Sequence, residues 1–214
     1  MIRKMLVGDP ARLRFVNRFS TCHVVHKESV AEHSYYVCLY SLLIGDWCNY
    51  AGVADETGQH VNMARLLQRA VLHDIEEALT GDVNRLFKYS TDATFLALHQ
   101  GGRQMMYRLV SSLDIPDHRQ RTAYYNAWEN AKDNSIEGRV LEFADFLSVL
   151  SYMVQEVNGS NFTMREHLST MTDYLRIFEN SRFDFIRPLV VEAANLLCEA
   201  FSAAGLRYTL EEKR

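Results

Sequence analysis

Apolar residues recur at three- and four-residue spacing along most of the chain, and the elements this predicts are helices. Met63, Leu66, Leu67, Ala70 and Val71 keep one helix face and predict a helix from about Asn62 to Leu79. Ser29-Val30-Ala31-Glu32 is a capping box. It opens a helix running to about Tyr50, with Val30, Val37, Leu42 and Ile44 at apolar positions. Residues 11–19 read as a short helix with Leu13 and Val16 inward, followed by a loop that carries Cys22, His23 and His26. Residues 51–61 form a polar connection. Residues 94–113 are amphipathic through Phe95, Leu98, Met105, Leu109 and Leu113, with Gly101-Gly102 expected to weaken or bend the helix. A further element runs from Ile115 to about Asn130, where Tyr124, Tyr125 and Trp128 read as packing residues. Leu141, Ala144, Ser148 and Tyr152 mark one face of a helix over about 136–157. Two more helices follow, over about 163–180 and 188–204. Pro188 opens the second, and Leu189, Ala193, Leu196, Leu197 and Phe201 make its core face. Glu211 to Arg214 are expected to fray. The fold class predicted is all-α.

Polar residues interrupt these stripes at informative places. Continuing the face that starts at Met63 brings it to Asp74, with Glu77 one turn later. At 100° per residue these two lie about 20° and about 40° either side of Met63, and His73 flanks them. Unpaired buried carboxylates are costly, and a metal ion that accepts both imidazole and carboxylate neutralises them. Thr80-Gly81 looks like the helix end, with Gly81 suited to a left-handed cap. A surface acidic patch would produce the same run of letters, so partners elsewhere decide the matter. His33 shares the face of Val30 and Val37, and Asp145 lies on the apolar face of Leu141 and Ser148. His33, His73, Asp74 and Asp145 thus come from three helices. This mixed donor set suits Mn, Fe, Co, Zn or Ni rather than Ca.

Composition narrows the class. The 214 residues suit a single domain, 1–214, with the C-terminal helices of about 163–204 packed on its core. A net charge of -4 leaves no basic footprint for a nucleic-acid polymer and no pull to an anionic membrane. The apolar run at the N-terminus is too short for a signal peptide. No stretch of about 18 apolar residues is present to span a bilayer. Cys22, Cys38, Cys48 and Cys198 contain no Cys-x-x-Cys pair, which points to reduced thiols and a cytoplasmic protein.

Four runs of residues, taken together, resemble a known family. They are Asn17-Arg18-Phe19, Val30-Ala31-Glu32-His33-Ser34, His73-Asp74-Ile75-Glu76-Glu77-Ala78-Leu79-Thr80-Gly81-Asp82 and Ala144-Asp145. Their order and spacing resemble the HD-domain metal-dependent phosphohydrolases, and more closely their 5′-deoxynucleotidase branch. The resemblance implies a compact helical HD-domain bundle, usually a homodimer. It implies hydrolysis of deoxynucleoside 5′-monophosphates with one divalent transition metal. Carried onto this chain, His33, His73, Asp74 and Asp145 hold the metal, and Arg18 orients the phosphate. Phe19 lies against the sugar, and Glu77 is the catalytic carboxylate. Asp82 with Val83, Asn84 and Arg85 helps to hold the substrate, which His33, Asp74 and Asp145 also touch. The chemistry agrees with these roles: arginine suits phosphate, and a carboxylate one turn from a ligand can take a proton from the attacking water.

The chain departs from the family pattern at three places. Phe19 stands where the family typically has Trp. The loop after Asp82 reads Val83-Asn84-Arg85 and lacks the family's prolines. Glu76 adds a carboxylate beside Glu77. Two other functions fit the same residues. One is a dNTP triphosphohydrolase, for which Arg85 and Lys88 would serve a longer phosphate chain. The other is a non-catalytic nucleotide-binding regulator, against which the intact Glu77 argues.

Overall fold

In the computed structural model, which describes residues 2–206, ten α-helices and three short 3₁₀ segments follow one another. They are α1 (Ile2–Val7), α2 (Val30–Tyr50), α3 (Met63–Leu72), α4 (Glu77–Thr80) and α5 (Arg85–Lys88). After them come α6 (Asp92–Ser112), α7 (His118–Glu129), α8 (Ile136–Asn158), α9 (Arg165–Ile177) and α10 (Arg187–Ala203). Among the described residues there is no strand, only an isolated bridge between Asn17 and Ser29. The expected tail at Glu211 to Arg214 lies outside the described residues. No described helix is long and apolar enough to cross a membrane.

The helix α8 is the central element. It packs against α2, α3, α9 and α10, so both its faces are buried and not just the Leu141–Ser148 face. Val140, Leu141, Phe143, Ala144 and Phe146 are fully buried. Phe143, Phe146, Tyr174, Phe178 and Phe183 form an aromatic cluster with centroid spacings of 4.8–6.0 Å, the range of favourable edge and offset contacts. The crossing of α2 and α3 depends on Gly45. A Cβ there would fall 2.7 Å from Met63 Sδ and 2.8 Å from Leu66 Cδ2.

The capping box forms as expected. Ser29 Oγ accepts from the Glu32 N–H, and Glu32 reaches back to the Ser29 N–H at 2.7 Å. Three residues expected inside lie outside: Leu42, Val71 and Leu196. For Val71 the reason is a rotation of α3. Arg69 is buried, with its guanidinium bound to both oxygens of Asp133 at 2.8 and 2.9 Å. That turns the inward arc onto Leu66, Arg69, Ala70 and His73. The stretch over 11–19 is a 3₁₀ segment, Asp9–Phe15, ending earlier than expected. Gly101-Gly102 does not interrupt α6.

The helix expected over 62–79 is broken. α3 stops at Leu72, residues 73–76 form a tight turn, and α4 begins at Glu77. His73 causes this locally. Its Nδ1 donates to the Ala70 carbonyl at 2.8 Å, the acceptor that the Asp74 N–H would use in a continuing α-helix. Three-residue bonds take over, from Ile75 N–H to Leu72, Glu77 N–H to Asp74 and Ala78 N–H to Ile75. Side chains three apart eclipse in such a turn, so Asp74 and Glu77 still share one side. Gly81 ends α4 with φ 77° and ψ 163°. The sign of φ is that of a left-handed cap, but ψ is extended, a region essentially confined to glycine.

The loop before α2 is held from the far end of α8. Glu156 is fully buried and accepts from the Val25 and His26 N–H groups at 2.7 Å each. Tyr152 donates its hydroxyl hydrogen to the His26 carbonyl at 2.6 Å. The stem is closed by Arg18 N–H to Glu28 O and Val30 N–H to Val16 O, both 2.9 Å. The segment that carries Arg18 and Phe19 therefore has a fixed position against α2 and α8.

Candidate active site

His33 comes from the first turn of α2, His73 and Asp74 from the turn after α3, and Asp145 from the middle of α8. The ligating atoms of His33, His73 and Asp145 lie within 4.8 Å of one another. Asp74 Oδ2 is 3.0 Å from His73 Nε2 and 3.6 Å from His33 Nε2, and Asp145 Oδ1 is 3.0 Å from His33 Nε2. His73 supplies the sharpest test of whether a metal fits. Its Nδ1–H is committed to the Ala70 carbonyl, so that in the neutral ring the lone pair is on Nε2. That nitrogen is buried without a hydrogen-bond partner and faces the carboxylates. An imidazole fixed through one nitrogen and presenting the other is how histidine ligates metals. The cluster fits a divalent metal.

The electrostatics follow from burial and neighbours. Burial pushes Asp74 up, but the His73 and His33 imidazoles and Lys132 outweigh it and hold the carboxyl well below the usual range. Asp145 is likewise low, because Lys132 and His33 overcome its burial. Glu77 goes the other way. Burial and the nearby carboxylates of Asp74, Asp82 and Glu76 push it up to about 10, and the positive charge of a metal at the cluster opposes that shift. Glu76, the extra carboxylate, turns to α7, where Trp128 Nε1–H donates to its Oε2 at 2.5 Å. Burial beside Asp74 raises it to about 7.

Arg18 donates from Nη1 to Glu28 Oε2 at 2.7 Å, and the same nitrogen lies 2.8 Å from His33 Nδ1. It is therefore tied to a member of the ligand cluster as well as facing the cavity. Phe19 has φ 53°, which is strained for a bulky side chain. Its ring stacks on Tyr152 at 5.0 Å, and Phe19 and Asp82 both line the same cavity. The ring contact holds the strained residue against α8.

A cavity of about 240 Å³ opens on the cluster and is lined by Arg18, Phe19, His33, Asp74, Glu77, Asp82, Val83, Asn84, Arg85 and Asp145. His73 lies behind this lining. The Asn84 side chain caps α5 by accepting from the Leu86 N–H at 2.9 Å. Arg85 is exposed, and its guanidinium lies 3.9 Å from the Tyr174 ring centroid and 4.8 Å from that of Tyr89. His26 Nδ1 lies 3.1 Å from Glu156 Oε1, and Cys22 Sγ lies 3.1 Å from His167 Nε2.

Several residues in and around the cavity carried no functional signal in the sequence. Lys132 Nζ lies 2.5 Å from Asp145 Oδ2, and the Tyr174 hydroxyl donates to the same oxygen at 3.3 Å. The Lys132 side chain is 35% exposed; partial loss of water disfavours its charge, but Asp145, Tyr174 and Asp74 outweigh that and the pKa is raised. Glu28 holds Arg18, and Ser148 Oγ lies 3.0 Å from His33 Nδ1. Lys132 sits in a polar turn, where a lysine normally signals only solvent. Glu28 could have been noticed as the residue that precedes the capping box.

Comparison with known proteins gives a consistent set. A profile of the 5′-deoxynucleotidase YfbR-like family matches residues 9–192. A 5′-deoxynucleotidase of Erwinia tasmaniensis is 23% identical over 208 residues, covering 96% of this chain and 100% of the relative. A dATP triphosphohydrolase of Salmonella phage PMBT28 is 29% identical over 91 residues, covering 42% of this chain and 46% of that protein. The fold is similar to that of an HD-domain phosphohydrolase from Listeria innocua, with a TM-score of 0.64 and 22% identity, covering 94% of this chain and 98% of the other.

Proposed function

The chain belongs to the YfbR-like 5′-deoxynucleotidase family, and from that premise we propose that it hydrolyses deoxynucleoside 5′-monophosphates to deoxynucleoside and phosphate. The observation that carries the reading is the orphaned, buried His73 Nε2 facing Asp74, with His33 and Asp145 beside it. His33, His73, Asp74 and Asp145 would hold one divalent transition metal, from among Mn, Fe, Co, Zn and Ni. Such an ion polarises a phosphoryl oxygen and acidifies water. Arg18, fixed by Glu28, binds and orients the phosphate. Glu77 takes the proton of the attacking water. Phe19 lies against the sugar, and Asp82, Val83, Asn84 and Arg85 close the substrate side of the cavity. The chain works as one domain.

The test is a screen of dNMPs, NMPs and dNTPs against a panel of divalent metals. Orthophosphate and nucleoside are expected from dNMPs, with dAMP preferred to AMP. The Phe19 ring would strip water from a 2′-hydroxyl without offering it a partner. Equal kcat/KM for dAMP and AMP would remove Phe19 from sugar selection. A second reading, a dNTP triphosphohydrolase, draws on Arg85 and Lys88 lining the cavity. Tripolyphosphate among the products would establish it in place of the first.

Two broader properties belong to the same reading. Tyr36, Leu43 and Tyr50 repeat at seven-residue spacing on the exposed face of α2, beside Tyr35 and Leu42. An apolar stripe of this kind marks a contact surface, and it supports a homodimer. Light scattering should give twice the protomer mass, and a monomer at micromolar concentration would refute it. The free cysteines and the absence of a membrane-crossing helix among the described residues support a cytoplasmic enzyme.

A further inference from the structure

Four side chains of the site stand in a row. Arg18 Nη1 is 2.8 Å from His33 Nδ1, His33 Nε2 is 3.0 Å from Asp145 Oδ1, and Asp145 Oδ2 is 2.5 Å from Lys132 Nζ. The ligand edge formed by His33 and Asp145 thus has a cation beyond each end. We propose that Lys132 is a second phosphate-binding residue, meeting the substrate's phosphoryl group from the side of Asp145 while Arg18 meets it from the side of His33. This rests on the phosphohydrolase reading and adds to it a residue that no motif contains.

Three observations carry it. Orienting Asp145 does not require a lysine, because the Tyr174 hydroxyl already donates to the same Oδ2. A cation held this close to a divalent-metal site weakens metal binding by direct repulsion. That cost is offset when a phosphate dianion enters, since both positive groups attract it. Finally, an ammonium has three donors. Asp145 takes one, and Lys132 lines the same cavity as Arg18, where the remaining donors find an acceptor. The position is also a firm one. Lys132 belongs to the turn between α7 and α8, which is held by the Arg69 guanidinium on Asp133 and by its bond to Ser135 Oγ at 2.7 Å.

The experiment measures binding of inorganic phosphate to metal-loaded protein by calorimetry, with metal content determined on the same samples. Lys132→Met should keep one metal per chain and bind phosphate about tenfold to a hundredfold more weakly, the loss of one charge-assisted contact. The KM for dNMP should rise in parallel. Lys132→Arg should recover part of the affinity, and Arg18→Ala serves as the positive control. If Lys132→Met fails to fold by circular dichroism, Lys132→Gln makes the same comparison. Phosphate affinity within twofold of wild type at full metal occupancy would overturn the proposal. So would loss of metal from the variant, which would make Lys132 a support for Asp145 alone. A wild type that binds no phosphate and turns over no dNMP would instead remove the phosphohydrolase reading, and Lys132 with it.

Discussion

Asp74→Ala is expected to emerge without bound metal, with kcat/KM lower by at least about 10³, the scale of several kcal/mol that a metal contributes to stabilising transition-state charge. Asp74 Oδ2 lies within 3.6 Å of both imidazole Nε2 atoms. It is the carboxylate nearest His73 Nε2, at 3.0 Å, so its removal takes away the contact closest to that nitrogen. Chelation of the wild type should reproduce the loss. At a metal concentration about a hundred times Kd, the bound ion adds about 2.7 kcal/mol to apparent stability. For a chain of this length that corresponds to roughly 5–11 °C in Tm. Wild-type protein should therefore melt lower after chelation, while Asp74→Ala should not respond. Stoichiometric metal in Asp74→Ala, or full activity of chelated wild type, would be fatal to the assignment.

Glu77→Ala should behave in the opposite way with respect to metal. It shares a side with Asp74 through the tight turn and lines the cavity, but the ion-pair contacts to the His33 and His73 imidazoles are made by Asp74. Metal content and nucleotide binding should be retained, while kcat falls by about 10²–10⁴, the usual contribution of general acid–base catalysis. If the variant loses metal as Asp74→Ala does, Glu77 is a ligand, and Asp82 becomes the first candidate for the base. The raised carboxyl also has a signature in stability. With the protein's own groups alone, folded Glu77 keeps its proton up to about pH 10, while the ordinary value is 4.5. Between those values the folded state binds more protons than the unfolded one, so stability falls as pH rises through the window. Chelated wild type should lose stability from pH 6 to pH 9, and Glu77→Gln should lose less. Equal slopes for the two proteins would show that Glu77 is not raised.

Much of the candidate site is legible in the order of residues alone. His33 and Asp145 stand out because each breaks an apolar helix face where a hydrocarbon belongs, and the capping box of α2 sets the phase of that helix. The all-α class follows from the same period. The path of residues 73–76 is not legible, because the decisive bond there is His73 Nδ1 to a carbonyl of its own helix. Hydrophobic periodicity carries no information on a side chain that competes for a backbone acceptor. Val71 is exposed for a related reason. Arg69 binds Asp133, some sixty residues away in sequence, and that contact sets the rotation of α3.

The helices, their apolar faces and the four polar residues that those faces cannot bury alone are thus dictated by the chain's own period. Which charges meet those four residues is a matter of packing. Lys132 and Asp145 are joined across a helix–helix turn, Arg18 reaches His33 and Glu28 from a loop held by Glu156, and Arg85 is stacked between Tyr89 and Tyr174. A helical period reports which side of an element avoids water. Coulomb attraction and hydrogen bonding act between whatever groups the packed chain brings within about 3 Å, and for these pairs that proximity exists only once α2, α8 and α9 have closed on one another.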